Sequence, residues 1–240
     1  MKAMIFAAGR GERMRPLTDS VPKPLLKVRG RPLIVWHVLN LVRAGIPDIV
    51  INHSWLGHMI EQELGDGSRY GARIVYSHEP QPLETAGGIA NALHLLGDAP
   101  FLALSADIYA PYFDFSDALD ALKDTDALGQ TIPIDQRDIA WLWLTPNPWH
   151  NPEGDFALDM YTLKNEGAAK WNFANIGVYR PEMFDGIKPG EFVKLGPLMR
   201  KYIDLGRVGG EIYQGQWVNV GTAAQLEELN APLRAAKPAA

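Results

Sequence analysis

Met4-Ile5-Phe6-Ala7-Ala8-Gly9-Arg10-Gly11-Glu12-Arg13-Met14-Arg15-Pro16-Leu17-Thr18, closed by Pro22-Lys23-Pro24, is the stretch from which the rest of the chain is read. An apolar run breaks into small residues and then into three arginines, which predicts a buried strand delivering a loop of exposed backbone N–H groups and positive charge. Such a loop suits an anionic ligand. Gly9 and Gly11 lack a Cβ and let main chain approach an anion closely, while Arg13 supplies a forked contact and Lys23 a point charge. A dinucleotide-binding loop would carry a third glycine where Met14 stands and run straight into a helix, which Pro16 blocks. The bland alternative, a glycine turn with surface arginines, does not account for the order in which the arginines, Pro16 and Lys23 recur.

With 240 residues and 47% apolar content, the chain is long enough to bury a full core and is most simply one α/β domain over 1–240. A net charge of -5 argues against a nucleic-acid or anionic-membrane surface, so the basic cluster is a local exception of the kind that marks a site. The absence of cysteine excludes disulfides, thiolate metal sites and a thiol nucleophile. The apolar run before Arg10 is too short for a secretory signal and no run has the length of a membrane span, so a cytoplasmic protein is expected.

Strands are expected over Lys2 to Ala7, Asp48 to His53, Arg73 to Ser77 and Phe101 to Ser105, with helices over Pro32 to Ala44, Leu56 to Leu64 and up to about Leu96, the last with Thr85 as N-cap. This alternation predicts a doubly wound α/β fold with a mixed, mainly parallel sheet. Ligands of such sheets bind at the carboxyl ends of the strands, which groups the Gly9 loop, the Glu79 to Gly88 loop and Asp107 on one edge. From about Asp135 the pattern turns β-rich: Ile139 to Leu144, Phe156 to Leu163, Trp171 to Tyr179 and Trp217 to Val220 read as strands, Leu195 to Leu205 and Thr222 to about Leu233 as helices. Trp141 and Trp143 alternate on one strand and are expected to fill one packed face, and His37 to be a core or interface residue.

Asp107 follows a buried strand, where a carboxylate either serves a turn or holds Mg²⁺ between phosphate oxygens. Glu79 lies in a polar loop and has the lone pairs to accept an N–H from a pyrimidine edge.

The pattern G-x-G-x-R-M-x-P-L-T followed by P-K-P resembles the signature of the sugar-1-phosphate nucleotidylyltransferases. That resemblance implies a Rossmann-like nucleotidyltransferase fold with a small β-rich sugar-binding portion. It divides the chain into a nucleotide-binding half over about 1–134, a sugar-binding half over about 135–234 and a frayed tail over 235–240. It implies Asp107 as the Mg²⁺ ligand, with Ala106 standing where the family has glycine. The family's second carboxylate corresponds to Asn219 in Trp217-Val218-Asn219-Val220-Gly221-Thr222. An amide oxygen ligates Mg²⁺ with one charge fewer, and Asn219 serves equally as a turn residue.

Leu83-Glu84-Thr85-Ala86-Gly87-Gly88-Ile89, Asn52-His53-Ser54-Trp55-Leu56-Gly57, Gly154-Asp155-Phe156, Phe173-Ala174-Asn175-Ile176-Gly177-Val178 and Lys194-Leu195-Gly196-Pro197-Leu198 resemble one subgroup, the N-acetylmuramate-1-phosphate uridylyltransferases of peptidoglycan recycling. The partners so implied are UTP and N-acetylmuramate 1-phosphate, with no nucleic acid or membrane. The nucleotide would lie against Ala8, Gly9, Gly11, Glu12, Arg13, Lys23, Glu79 and Gly88. The sugar would lie toward Ser105, Gly154, Asp155 and Asn175, with Lys164 or Lys170 facing its lactyl carboxylate. Arg13, Lys23 and Asp107 would carry catalysis. Another sugar phosphate, a guanylyl or thymidylyl donor, or an impaired nucleotide-sugar-binding protein are the alternatives.

Overall fold

The computed structural model describes residues 1–125 and 128–232. Its strands are β1 (Ala3–Ala7), β2 (Lys27–Val28), β3 (Arg31–Pro32), β4 (Asp48–His53), β5 (Arg73–His78), β6 (Phe101–Ser105), β7 (Ile108–Tyr109), β8 (Ala140–Thr145), β9 (Ala157–Asp159), β10 (Thr162–Lys164), β11 (Asn172–Tyr179), β12 (Val208–Ile212) and β13 (Val218–Asn219). The α-helices are α1 (Leu17–Ser20), α2 (Leu33–Arg43), α3 (Gly57–Leu64), α4 (Glu84–Leu96), α5 (Leu195–Asp204) and α6 (Ala223–Asn230). None is long and apolar enough to cross a membrane.

One sheet runs in the order β5-β4-β1-β6-β11-β8-β12-β10-β9. Strands β5, β4, β1, β6, β8, β12 and β9 point one way and only β11 and β10 the other, so the sheet is mixed and mainly parallel. Period-two alternation divides its faces. Ala3, Ile5 and Ala7 of β1 join a core with Ile34 and Val38 of α2 and Ile60 of α3, whereas Met4 and Phe6 face a second core with Ile89 of α4 and Met199 of α5. Helices therefore cover both faces, as the doubly wound reading requires. Trp143 is buried and Trp141 packs on the same cluster, and His37 is buried in α2.

Three expectations are corrected, and one strand, β12, was not anticipated. The single strand over Phe156 to Leu163 is a hairpin, because Met160 takes a left-handed φ of 54° and turns the chain between paired Asp159 and Thr162. Strand β12 lies beside β8 inside the sheet although Val208-Gly209-Gly210 lacks a β-branched run. A Cβ on Gly209 would stand 2.6 Å from the Trp141 ring, so the strand's weak local pattern reflects close packing. Thr85 is not a cap: α4 begins at Glu84 with Leu83 in the cap position and no side-chain cap bond. Helix α6 ends at Asn230, whose Nδ2 donates to the Lys27 carbonyl and whose Oδ1 accepts from the Arg29 N–H. Its start is as read, with Thr222 and Gln225 in a reciprocal capping box. Leu233 and the tail over 235–240 lie outside the described residues.

Parallel register brings the strand ends together. Ala7 pairs His53, His53 pairs His78, and Phe6 pairs Ser105. The loops that leave these ends share one edge of the sheet. At that edge β13 pairs antiparallel with β7, setting Asn219 against Ile108 while the Val220 N–H donates to the Asp107 carbonyl at 2.9 Å.

Candidate active site

The loop after β1 owes its shape to Gly11, whose φ of 69° is left-handed and whose added Cβ would stand 3.0 Å from the Thr18 methyl. Buried Thr18 donates its hydroxyl to the Gly11 carbonyl at 2.8 Å. Arg10 lies over the Trp55 ring at 3.9 Å and donates to the Thr18 carbonyl, and both Arg10 and Arg15 bond Asp19. Among the described residues Arg13 has no ion pair or hydrogen bond. Its guanidinium lies beside Gly221, 3.6 Å from where a Cβ would sit. Glu12 is exposed on the same turn.

A cavity of about 280 Å³ opens on this loop, bordered by Ala8, Gly9, Lys23, Glu79, Ser105 and Asp107 among others. Lys23 is only 8% exposed, and its Nζ donates to Asp107 Oδ2 at 2.5 Å. The chain thus holds a cation and a carboxylate together at the mouth of a strand edge. Ala106 is buried, with its methyl in the first core, so the departure from glycine is absorbed by packing.

Glu79 is buried at 1% exposure, and both carboxylate oxygens are engaged: Oε1 accepts from Asn52 Nδ2 at 2.7 Å and Oε2 from the Leu83 N–H at 3.0 Å. Asn52 Oδ1 in turn accepts from the Ala7 N–H at 3.0 Å. Burial pushes the Glu79 carboxyl up from its ordinary value, against the opposing pull of those two donors. Gly88 does not border the cavity. A Cβ there would stand 2.7 Å from Glu79 Oε1 and 2.9 Å from Asn52 Nδ2, so this glycine makes room for the pair that fastens the β4, β5 and β1 ends together. Asn52 therefore positions the site; its signal was a polar side chain closing an apolar run in Asp48–His53.

A second cavity of about 360 Å³ shares Phe6, Glu84, Thr85 and Ser105 with the first and continues to Asn175 and Lys194. Asn175 reaches it from a bulge: the β11–β8 register shifts between Phe173 and Gly177, and Asn175 has φ 55°. The bulge is held by Asp155, whose Oδ2 accepts from the Phe173 N–H at 2.8 Å, and by Trp217, whose indole donates to the Ala174 carbonyl at 2.9 Å. Asp155 and Gly154 border neither cavity, and Asp155 acts on the site through the bulge. Lys164 and Lys170 are also elsewhere, Lys170 paired with Glu166 at 2.9 Å.

Asn219 borders a third cavity with Trp149, His150 and Trp217, and its Oδ1 is buried with no hydrogen-bond partner. This orphaned amide oxygen belongs to β13, whose backbone pairs with the turn that carries Asp107, and although the two side chains border different cavities, an amide oxygen and a carboxylate are both oxygen donors of the kind Mg²⁺ takes, its shell being completed by phosphate and water. Among the described residues no cluster of three or more histidine or acidic side chains offers an alternative metal site.

The profile of the nucleotidyl transferase family matches residues 2–139. The chain belongs to the nucleotidyltransferase family. This nucleotidyltransferase is 49% identical over 235 residues to the N-acetylmuramate alpha-1-phosphate uridylyltransferase of Neisseria meningitidis, a match covering 96% of the present chain and 97% of the relative. It is 42% identical over 120 residues to a mannose-1-phosphate guanyltransferase beta-B of Xenopus laevis, covering 49% of this chain and 33% of that one. The fold superposes with a TM-score of 0.79 on a chain assigned as a glucose-1-phosphate thymidylyltransferase from Bacillus anthracis, crystallised with sucrose. That match covers 96% of the nucleotidyltransferase and 94% of the other chain at 20% identity. Its Rossmann-like α/β architecture is thus shared with a sugar-nucleotide enzyme fold.

Proposed function

We propose that this nucleotidyltransferase joins UTP to N-acetyl-α-muramate 1-phosphate, giving UDP-N-acetylmuramate and pyrophosphate, with Mg²⁺, in cytoplasmic peptidoglycan recycling. The observation that carries the reading is the meeting of two cavities at Ser105 and Thr85, one holding Lys23 and Asp107 and the other Asn175. The near full-length likeness to a protein of that name favours these substrates over other sugar phosphates. Residues to about 134 would serve mainly the nucleotide and those from about 135 the sugar.

In this reading the triphosphate lies along Ala8, Gly9 and Gly11, and the uracil toward Glu79. A phosphate oxygen of the sugar 1-phosphate attacks the α-phosphorus in line; the new P–O bond forms as the bond to the β-phosphate bridge breaks, and pyrophosphate leaves. No protein nucleophile is required. The chain supplies positioning and charge: Lys23 neutralises the α-phosphate and sugar phosphate, and Arg13, left unpaired by its neighbours, meets the departing pyrophosphate. Asp107 and Asn219 would hold Mg²⁺, which neutralises developing charge on the phosphate oxygens when bound. Asn175 reads sugar hydroxyl or N-acetyl groups from its bulge.

Pyrophosphate release from UTP, with and without Mg²⁺, tests the reading against N-acetylmuramate, N-acetylglucosamine and glucose 1-phosphates. Mg²⁺-dependent turnover preferring the muramate substrate is expected. Preference for another sugar phosphate would overturn the substrate assignment, and UTP binding without turnover on any of them would overturn the catalytic one.

A further inference from the structure

The sugar proposed above differs from N-acetylglucosamine by a lactyl ether that adds a carboxylate, and nothing so far assigned would meet that charge. The cation bordering the second cavity is Lys194. Among the described residues its side chain has no ion pair or hydrogen bond; those of Lys164 and Lys188 in this half share that state but border neither cavity, and the other basic groups nearby are engaged. Lys170 pairs Glu166, Arg180 pairs Asp124, and Arg200 lies over the Phe156 ring and hydrogen-bonds Asn165. Glu84 also borders this cavity, but at its junction with the first, and it makes no ion pair with Lys194.

The backbone around Lys194 is fixed before any ligand arrives. The Val193 N–H donates to the Leu83 carbonyl at 3.0 Å, and the Val193 carbonyl accepts from the Ala86 and Gly87 N–H groups at the start of α4. Gly87 permits that approach, since a Cβ there would stand 2.1 Å from the Glu191 carbonyl. Immediately after Lys194, Leu195 is buried and opens α5. The side chain itself is exposed, so its charge stays hydrated in the free protein.

We propose that Lys194 binds the lactyl carboxylate of the sugar phosphate and makes the enzyme prefer muramate, an inference that rests on the proposed function. Asn175 and Lys194 then read the sugar from one cavity, the amide its neutral polar groups and the ammonium its charge.

Wild type, Lys194→Gln and Lys194→Arg are compared by steady-state kinetics on N-acetylmuramate and N-acetylglucosamine 1-phosphates, with UTP affinity measured by calorimetry. Lys194→Gln is expected to raise KM for the muramate substrate roughly 10- to 100-fold, as loss of one charge-assisted contact implies, while UTP affinity stays within about twofold. Lys194→Arg should recover most of the preference for muramate. An unchanged muramate KM in Lys194→Gln, or an equal loss on both sugars, would overturn the assignment while leaving the uridylyltransferase reading intact. A wild type that turns over N-acetylglucosamine 1-phosphate but not the muramate substrate would overturn that reading and the role of Lys194 with it.

Discussion

The Trp217 indole donates its N–H to the Ala174 carbonyl at 2.9 Å, joining the segment that carries Asn219 to the bulge that presents Asn175. One hydrogen bond thus couples the proposed phosphate side of the candidate site to its proposed sugar side. Trp217→Phe keeps an aromatic ring and removes the donor. It is expected to cost about 1 kcal/mol of stability by denaturant unfolding and to raise KM for the sugar phosphate several-fold. Wild-type values for both would mean that the bulge keeps its geometry without the indole.

Asp107 and Asn219 should respond in opposite senses. Asp107→Ala removes the carboxylate partner of Lys23 and the proposed metal's charged ligand, and is expected to lower kcat by about 100-fold or more, a typical loss for a group stabilising developing charge. Asn219→Asp restores a second charge and should leave turnover equal or higher while lowering the Mg²⁺ concentration needed for half activity. A Mg²⁺ titration of both variants decides. Full activity in Asp107→Ala would remove the metal assignment.

The three arginines of the first loop are expected to separate in function because the fold separates them in partners. Arg10 and Arg15 share Asp19, whereas Arg13 is free to meet an anion. Arg13→Ala should therefore cost at least about tenfold in kcat/KM for UTP, and Arg15→Ala only a few-fold. Equal losses would assign the loop's charge collectively.

His37 makes stability depend on pH. Burial lowers its pKa from 6.5 to about 4, partly offset by interaction with the Ile108 backbone and with Asp107. Between those values the unfolded chain takes up a proton that the folded chain refuses. The contribution is therefore complete above pH 6.5 and lost progressively as pH falls toward 4, to an extent of about 3 kcal/mol. Urea midpoints from pH 7 to pH 4 should fall less steeply in His37→Phe than in wild type. Parallel slopes would show that carboxylates alone govern the acid limb.

The first half of the sheet and its loops were legible because their signals are local. Gly9, Gly11, Arg13 and Lys23 lie within fifteen residues, and β1, β4, β5 and β6 each carry a short apolar run whose ends converge in a parallel sheet. Gly88 was read as a contact for the base, yet it makes room for Asn52 and Glu79, since a missing side chain suits a close neighbour as well as a ligand. Asp155 was placed against the sugar and instead secures Phe173 in the bulge. Strand β12 and the hairpin at Met160 were invisible because glycines packed against Trp141 and Leu142, and one left-handed residue, leave no periodicity to read.

By itself the sequence determined the doubly wound class, the glycine-and-arginine loop after β1 and the candidates Lys23 and Asp107, all of which follow from short-range patterns of apolar period, glycine and charge. Only the tertiary structure decided which first-loop arginine has no partner among the described residues, that Asn219 carries an unsatisfied buried oxygen on the strand paired to the Asp107 turn, and that Lys194 rather than Lys164 or Lys170 borders the second cavity. These are questions of partnership. A side chain's availability depends on which distant groups already satisfy it, and those groups meet only when strands and helices far apart in sequence pack together.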